Sequence, residues 1–317
     1  MNGRMTYRCL CNACGAVALM SFLYSCQFRP VNMDYYDGCS IWVAVDWSSF
    51  IQEQPTGMSV YCYPKDGSGQ EPYIYRSNTT SGVMVRLPVG HYDLLVFNQS
   101  VDEFGSMHFE GMDKYMTATA VLEPLGDGHY DPEWLAIGTL EDLNVTLEDF
   151  NANRSITLSP RNVIYNVSVE IKVQGINNSE KISCKIDGMA RKYNMADGGQ
   201  SSSATHLLNS WGKECDKDNP ASGVVFTSFH SFGLPDSFSS KPEDCILDVS
   251  FLLVDNKTGC RFSIPAGDRF ITDKEAHRMA LTLDEGITLP DVEREEGGFS
   301  AEVKDWEEEQ QVDVPMN

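Results

Sequence analysis

Residues 163–173 read Val-Ile-Tyr-Asn-Val-Ser-Val-Glu-Ile-Lys-Val, and from Tyr165 onward apolar and polar side chains alternate without a break. A period of two sends every second side chain to one face, which is the pattern of a strand with one side on a core and the other in water. Nowhere does the chain sustain the i, i+3, i+4, i+7 apolar spacing over the length of a helix. Sheets are then the means by which this sequence buries apolar surface, and the expected fold class is all-β.

Shorter runs of the same kind fill the chain. Residues 41–47, 58–63, 83–87, 92–97, 116–122, 143–147 and 156–158 are rich in β-branched and aromatic residues and are expected as strands. Turn chemistry separates them, as in Gln54-Pro55-Thr56-Gly57 and Pro64-Lys65-Asp66-Gly67. Past residue 173, strands are expected at 181–186, 224–229, 246–254 and 261–264, with a last element at 303–314. Segments 126–132 and 196–223, rich in Gly, Ser and Asp, are expected as loops. Many short strands at close spacing point to β-sandwiches. A seam falls at Ser159-Pro160-Arg161, where proline forbids a ladder hydrogen bond. The expected domains are 26–160 and 161–317.

Residues 1–25 have the design of an export signal. Arg4 and Arg8 give a positive start, and residues 9–23 carry no charge, a length short of the roughly 20 residues a permanent span needs. The stretch ends in Leu23-Tyr24-Ser25-Cys26, which resembles a lipobox with Cys26 as the acylated first residue of the mature protein. Tyr24 departs from the usual pattern. Cys9, Cys11 and Cys14 lie inside the removed segment and are not read as metal ligands. Acyl chains contribute about 0.8 kcal/mol per buried methylene, so a multiply acylated Cys26 implies stable anchoring on a membrane.

The net charge of −22 argues against nucleic acid as a partner. Hydrophobic residues make up 42%, enough for substantial cores. Cys39, Cys62, Cys184, Cys215, Cys245 and Cys260 remain after processing. In an exported protein they can form disulfides, with Cys39–Cys62 and Cys245–Cys260 as local pairings, or serve as buried thiols; spacing does not choose.

Hydrolase, metalloprotease, P-loop and dinucleotide motifs are absent from the sequence, and no cofactor is expected. His91, beside Tyr92 on a strand, is read as a packing or surface residue. Residues 127–133 and 216–219 hold oxygen ligands without the spacing of a calcium loop. Trp42, Trp47, Tyr61, Tyr63, Tyr73 and Tyr75 could form a glycan platform. The plainer expectation puts Trp42 and Tyr92 in the core.

The order of several short motifs resembles the Bacteroidetes fimbrillin superfamily. They are Val45-Asp46-Trp47, then Pro55-x-Gly57-Met58-x-Val60-x-x-Tyr63-Pro64, then Val85-Arg86-Leu87-Pro88-x-Gly90-x-Tyr92-Asp93. Gly188-Met189-Ala190, Phe229-x-x-Phe232-Gly233-Leu234 and Gly298-Phe299 through Trp306 continue the likeness. The resemblance implies two tandem transthyretin-like β-sandwiches on an outer-membrane lipid anchor, in a family of pilus stalk, tip, accessory and anchoring subunits. It also implies fimbrial subunits as partners by strand exchange. In stalk subunits, an early strand is cut away after a basic residue and a neighbour's strand replaces it, a form of β-augmentation.

From Val31 to Gln54 this chain has neither Lys nor Arg. It therefore reads as an anchoring or accessory subunit rather than a polymerising one. The alternative is a stand-alone surface glycan-binding lipoprotein; a β-sandwich enzyme has no motif behind it. Gln27, Phe28, Arg29 and Pro30 lack the acidic run that resembles a surface-export signal, and either face of the outer membrane stays open.

Overall fold

Alternation in the sequence becomes paired sheets in the computed structural model, which describes residues 38–292 apart from 68, 151, 209 and 238–241. The export signal, Cys26 and the element expected at 303–314 lie outside the described residues. Among the described residues there is no α-helix, only short 3-10 turns.

The strands begin with β1 (Cys39–Val45), β2 (Met58–Pro64), β3 (Tyr73–Ser77), β4 (Gly82–Leu87) and β5 (Gly90–Asn98). Next come β6 (Met107–Glu110), β7 (Thr119–Leu122), β8 (Pro124–Leu125), β9 (Gly128–His129), β10 (Ala136–Val145), β11 (Arg154–Leu158) and β12 (Arg161–Asn162). Beyond them run β13 (Tyr165–Gln174), β14 (Ser179–Met189), β15 (Lys192–Asn194), β16 (Gln200–Ser201), β17 (Ala204–Leu208) and β18 (Gly212–Cys215). The series closes with β19 (Ser222–Ser231), β20 (Ile246–Leu253), β21 (Gly259–Pro265), β22 (Phe270–Asp273) and β23 (Arg278–Thr288).

In the first half, sheet β11-β1-β4 packs on sheet β12-β10-β5-β2-β3. Ile41, Val43, Val60, Val85, Leu94 and Val96 are fully buried between them. In the second half, β18-β19-β13-β23-β22 packs on β21-β20-β14-β17-β9-β8. Val167, Ile171, Ile186, Val225, Leu247 and Val249 fill that core. Complete burial of each such side chain contributes about 1.5–3 kcal/mol.

A third core joins the halves. It draws Phe97, Leu122 and Leu135 from before Pro160 and Ile164, Ala190 and Phe232 from after it. Sheet β16-β15-β7-β6 is likewise assembled from both sides, and β9 extends the second half's sheet by pairing in parallel with β17. β12, just past Pro160, still pairs with β10.

Three expectations need correction. Segment 196–223 is not one loop: it contains β16, β17 and β18, because Ala204, His206 and Leu208 alternate inward despite their polar surroundings. The strand expected at 116–122 is split, with a 3-10 turn at Tyr115–Thr117 before β7. Segment 126–132 carries β9.

Candidate functional site

β1 occupies the middle of its sheet. Residues Ile41 to Val45 pair in parallel with Arg154 to Leu158 of β11, and Cys39 to Ala44 pair antiparallel with Leu87 to Gly82 of β4. Cys39, Ile41, Val43 and Val45 enter the core, so the strand is held by two ladders and four pockets at once. Both ends are fastened. The Asp46 amide donates to the Leu158 carbonyl at 2.9 Å, and the Trp47 indole N–H donates to the Thr80 carbonyl at 2.7 Å. At the start, the Cys39 thiol donates to the Thr146 carbonyl at 3.2 Å. Gly38 lies so close that a Cβ would meet Leu87 backbone atoms at 2.8 Å.

The loop before β11 is pinned by Asp149. Its carboxylate accepts from the Thr146 amide at 2.7 Å and from Arg154 at 2.9 Å. The Thr146 amide, against the opposing effect of burial, and then Arg154 hold it below the usual carboxylate range. Arg154 also donates to the Asn144 carbonyl at 2.7 Å. β4 is tied to the facing sheet by Tyr75, whose hydroxyl donates to the Arg86 carbonyl and accepts from the Arg86 amide. Such an arrangement is a strand-shaped seat filled by the first described strand of the chain itself. Were β1 withdrawn, the exposed edges of β11 and β4 would offer backbone groups, and the vacated pockets would select alternate side chains.

A second cluster lies between the halves. His206 is fully buried, with Nδ1 3.1 Å from Asp131, and Trp134 packs on His230 at 4.2 Å. Glu53, Gln99 and Asp131 line a cleft of about 330 Å³ with Trp134 and His230. Burial holds the imidazoles of His129 and His230 below the ordinary histidine value. Asp131 turns to His206, whereas Glu133 accepts from the Gly105 and Ser106 amides and the Ser106 hydroxyl. Asp131 and Glu133 thus serve separate partners, and Asp216 accepts from the Asp218 amide. Among the described residues, no three His, Cys, Asp or Glu side chains form a metal-sized group.

The aromatics singled out on sequence do not make one platform. Tyr61 and Tyr63 are buried in the joining core, while Tyr73 and Tyr75 on β3 pack beside the first core. Trp42 corrects the expectation that it belongs to that core. It lies on the outer face of β1, because the inward positions are odd-numbered, and its ring covers Gly82. Tyr92 is in the core as expected. His91 is exposed and 3.0 Å from Asp142.

All six described cysteines are free thiols; Cys215 is exposed and Cys39, Cys62, Cys184, Cys245 and Cys260 are buried. Cys260 stands opposite Phe251, whereas the Cys245 carbonyl accepts from Ala266. Six strand positions separate the two rows, about 20 Å at the usual rise and beyond disulfide reach. Burial pushes the Cys62 and Cys245 thiols up to about 12, which suppresses the reactive thiolate.

Comparison with known proteins gives likenesses of three kinds: a family model, a curated relative and solved structures. Residues 25–209 match the family model of a domain of unknown function, DUF5119. A Bacteroides ovatus protein described as the fimbrium anchoring subunit Fim4B is 23% identical over 195 residues, 58% of this chain and 56% of its own length. The chain therefore spans just over half of that relative. A crystal structure from Bacteroides ovatus, described as an adhesin, superposes with a TM-score of 0.60 at 19% identity, covering 84% of this chain and 98% of that one. That likeness establishes the shared β-sandwich fold.

Proposed function

The chain belongs to the DUF5119 family, and on that premise we propose that it is an anchoring or accessory subunit of a fimbrium, held on the outer membrane by acylated Cys26. The observation that carries this reading is the seat of β1. The strand fills its own groove between β11 and β4, and residues 31–54 offer no Lys or Arg at which a basic-specific protease could release it. A subunit whose groove stays filled does not accept a neighbour's strand there, which suits the membrane end of an assembly. The relative described as a fimbrium anchoring subunit supports the same assignment. The family match opens at residue 25, beside Cys26, so the lipobox-like segment borders what the family shares. On this reading the protein is a non-catalytic structural lipoprotein, and the two sandwiches meet at residues 160–161.

The test is metabolic labelling with a palmitate analogue, followed by pull-down of the protein through a tag in an internal loop. Label on Cys26, lost in Cys26→Ala, together with co-purifying fimbrial subunits is the expected result. Label without fimbrial subunits would replace the anchoring role with a stand-alone lipoprotein. Absence of label would remove the lipid anchor.

A further inference from the structure

We infer that the corner of the first sandwich where β1 begins is a membrane-contacting surface, which sets Val89, Leu147 and Phe150 at the headgroup level of a zwitterionic bilayer. This rests on the acylation of Cys26 proposed above. Only residues 27–38 separate Cys26 from β1, and an extended chain of that length reaches at most about 45 Å. The chain leaves the sandwich at a fixed point, since Gly38 is wedged against Leu87.

The same point gathers exposed apolar side chains. Val89 is 54% exposed, Leu147 78%, Phe150 43% and Met84 48%. Pairing of Gly90 with Val145 sets the loop bearing Val89 beside the one bearing Leu147, and both lie where Cys39 meets Leu87. Single exposed apolar residues are ordinary, but convergence at one corner marks an interaction surface. Trp42, Met84 and Phe150 line a groove of about 460 Å³ there, with Ser40, Asn153 and Arg154 on its polar side. Exposed Arg86 stands on the same sheet, opposite Ser40. An indole and guanidinium groups around an apolar patch match the boundary between acyl chains and headgroups. Asp142 and Glu148, exposed at the same end, oppose an anionic surface, so the headgroups are zwitterionic. The far end of the same sandwich is covered instead: Asn98 donates to the Trp134 carbonyl there, and β12 leads into the second half.

The experiment places the acylated mature chain in phosphatidylcholine vesicles, with Cys215→Ser to remove the exposed thiol. A fluorescent label is attached at Leu147→Cys or, as a control on the second half, at Ile271→Cys, a position 74% exposed. Flotation reads the anchor, and quenching by brominated phosphatidylcholine reads contact. Quenching at position 147 is expected to exceed that at 271 by about three-fold or more, as for a side chain in the interface. Val89→Glu should reduce it while leaving flotation intact. A protein that floats with both labels equally unquenched keeps its anchor and overturns the contact. One that fails to float overturns both. Shielding of position 147 only in intact fimbriae, and not in vesicles, would give the corner to a partner subunit and overturn the bilayer.

Discussion

In the first half β1 lies between β4 and the half's last long strand, β11, which runs parallel to it. In the second half β13 lies between β19 and the last described strand, β23, which again runs parallel. The inner faces are equivalent, with Ile41 and Val43 matching Val169 and Ile171 in burial. The outer faces are not. β13 presents Asn166, Ser168, Glu170, Lys172 and Gln174 to water, whereas β1 presents Ser40, Trp42 and Ala44, half-covered. Inward residues are dictated by the fold, so the outward ones are free to report what surrounds it. By that measure the outer face of β13 is built for solvent, and that of β1 is built to be touched.

Removing β1 would break the comparison most severely. A chain starting at Asp46 loses two ladders and four buried side chains, a loss comparable with the ~5–15 kcal/mol that holds a domain together. Thermal unfolding followed by circular dichroism should lose its cooperative step, and a peptide of residues 38–46 added in trans should restore it. Ile41→Ala and Ile171→Ala test the equivalence of the inner faces; each should cost about 2–5 kcal/mol in urea unfolding. Values differing widely would mean that one seat is looser than the other.

Glycines under outer-face aromatics sharpen the contrast. Gly82, with φ of +153° and a notional Cβ 2.6 Å from the Val43 carbonyl oxygen, lies beneath Trp42. Gly212 lies beneath Phe226, and the atoms nearest a Cβ there belong to that ring. Gly82→Ala should therefore cost about 1–3 kcal/mol, while Gly212→Ala should shift the melting temperature little, because a ring can swing aside.

Charges differ in the same direction. Asp149→Asn should cost about 1.5–3 kcal/mol at neutral pH through its lost charged hydrogen bonds, but Lys172→Met, which removes an exposed partner of Asp284, should leave stability unchanged. Because the folded carboxyl of Asp149 titrates below its unfolded value, its contribution is present above about pH 4 and disappears as pH falls through the folded value. The difference between Asp149→Asn and the parent should vanish there. Between the halves the sign is set by bases instead. His129 and His230 are depressed by burial, so the unfolded chain binds protons first as pH falls below about 6.5. A modest loss of melting temperature from pH 7 to pH 5, flattened in a His129→Gln, His230→Gln double variant, is expected.

Strands whose chemistry advertised them were legible in the sequence. β2, β4, β5, β13, β20 and β21 are β-branched or aromatic and bounded by turns, and they fall where expected within a residue or two. β23 was not anticipated, although Met279, Leu281 and Leu283 alternate inward. Its Met, Ala, Leu and Glu content favours helix, and only its place between β13 and β22 decides the matter. The first half of β10 was hidden similarly: Gly138 and the left-handed Asp142, at a bulge, interrupt the pattern. For the candidate site, the core-facing residues of β1 could be read from alternation alone. The outward turn of Trp42 was equally present in that alternation, but aromatic size argued for the core and obscured it. The joining core escaped because the partners of Phe97 and Leu135, such as Phe232, lie far along the chain.

The parallel pairing of β1 with β11, and of β13 with β23, also fixes how the molecule answers to tension. Pull the start of β1 one way and the end of β11 the other, and the two strands slide along their common axis. Every bond between Ile41–Val45 and Arg154–Leu158 is then loaded in shear and must yield together rather than unzip one by one. β13 and β23 repeat the clamp over a longer register. A molecule tethered at its beginning and loaded beyond it would resist force along the very direction in which a surface filament is pulled.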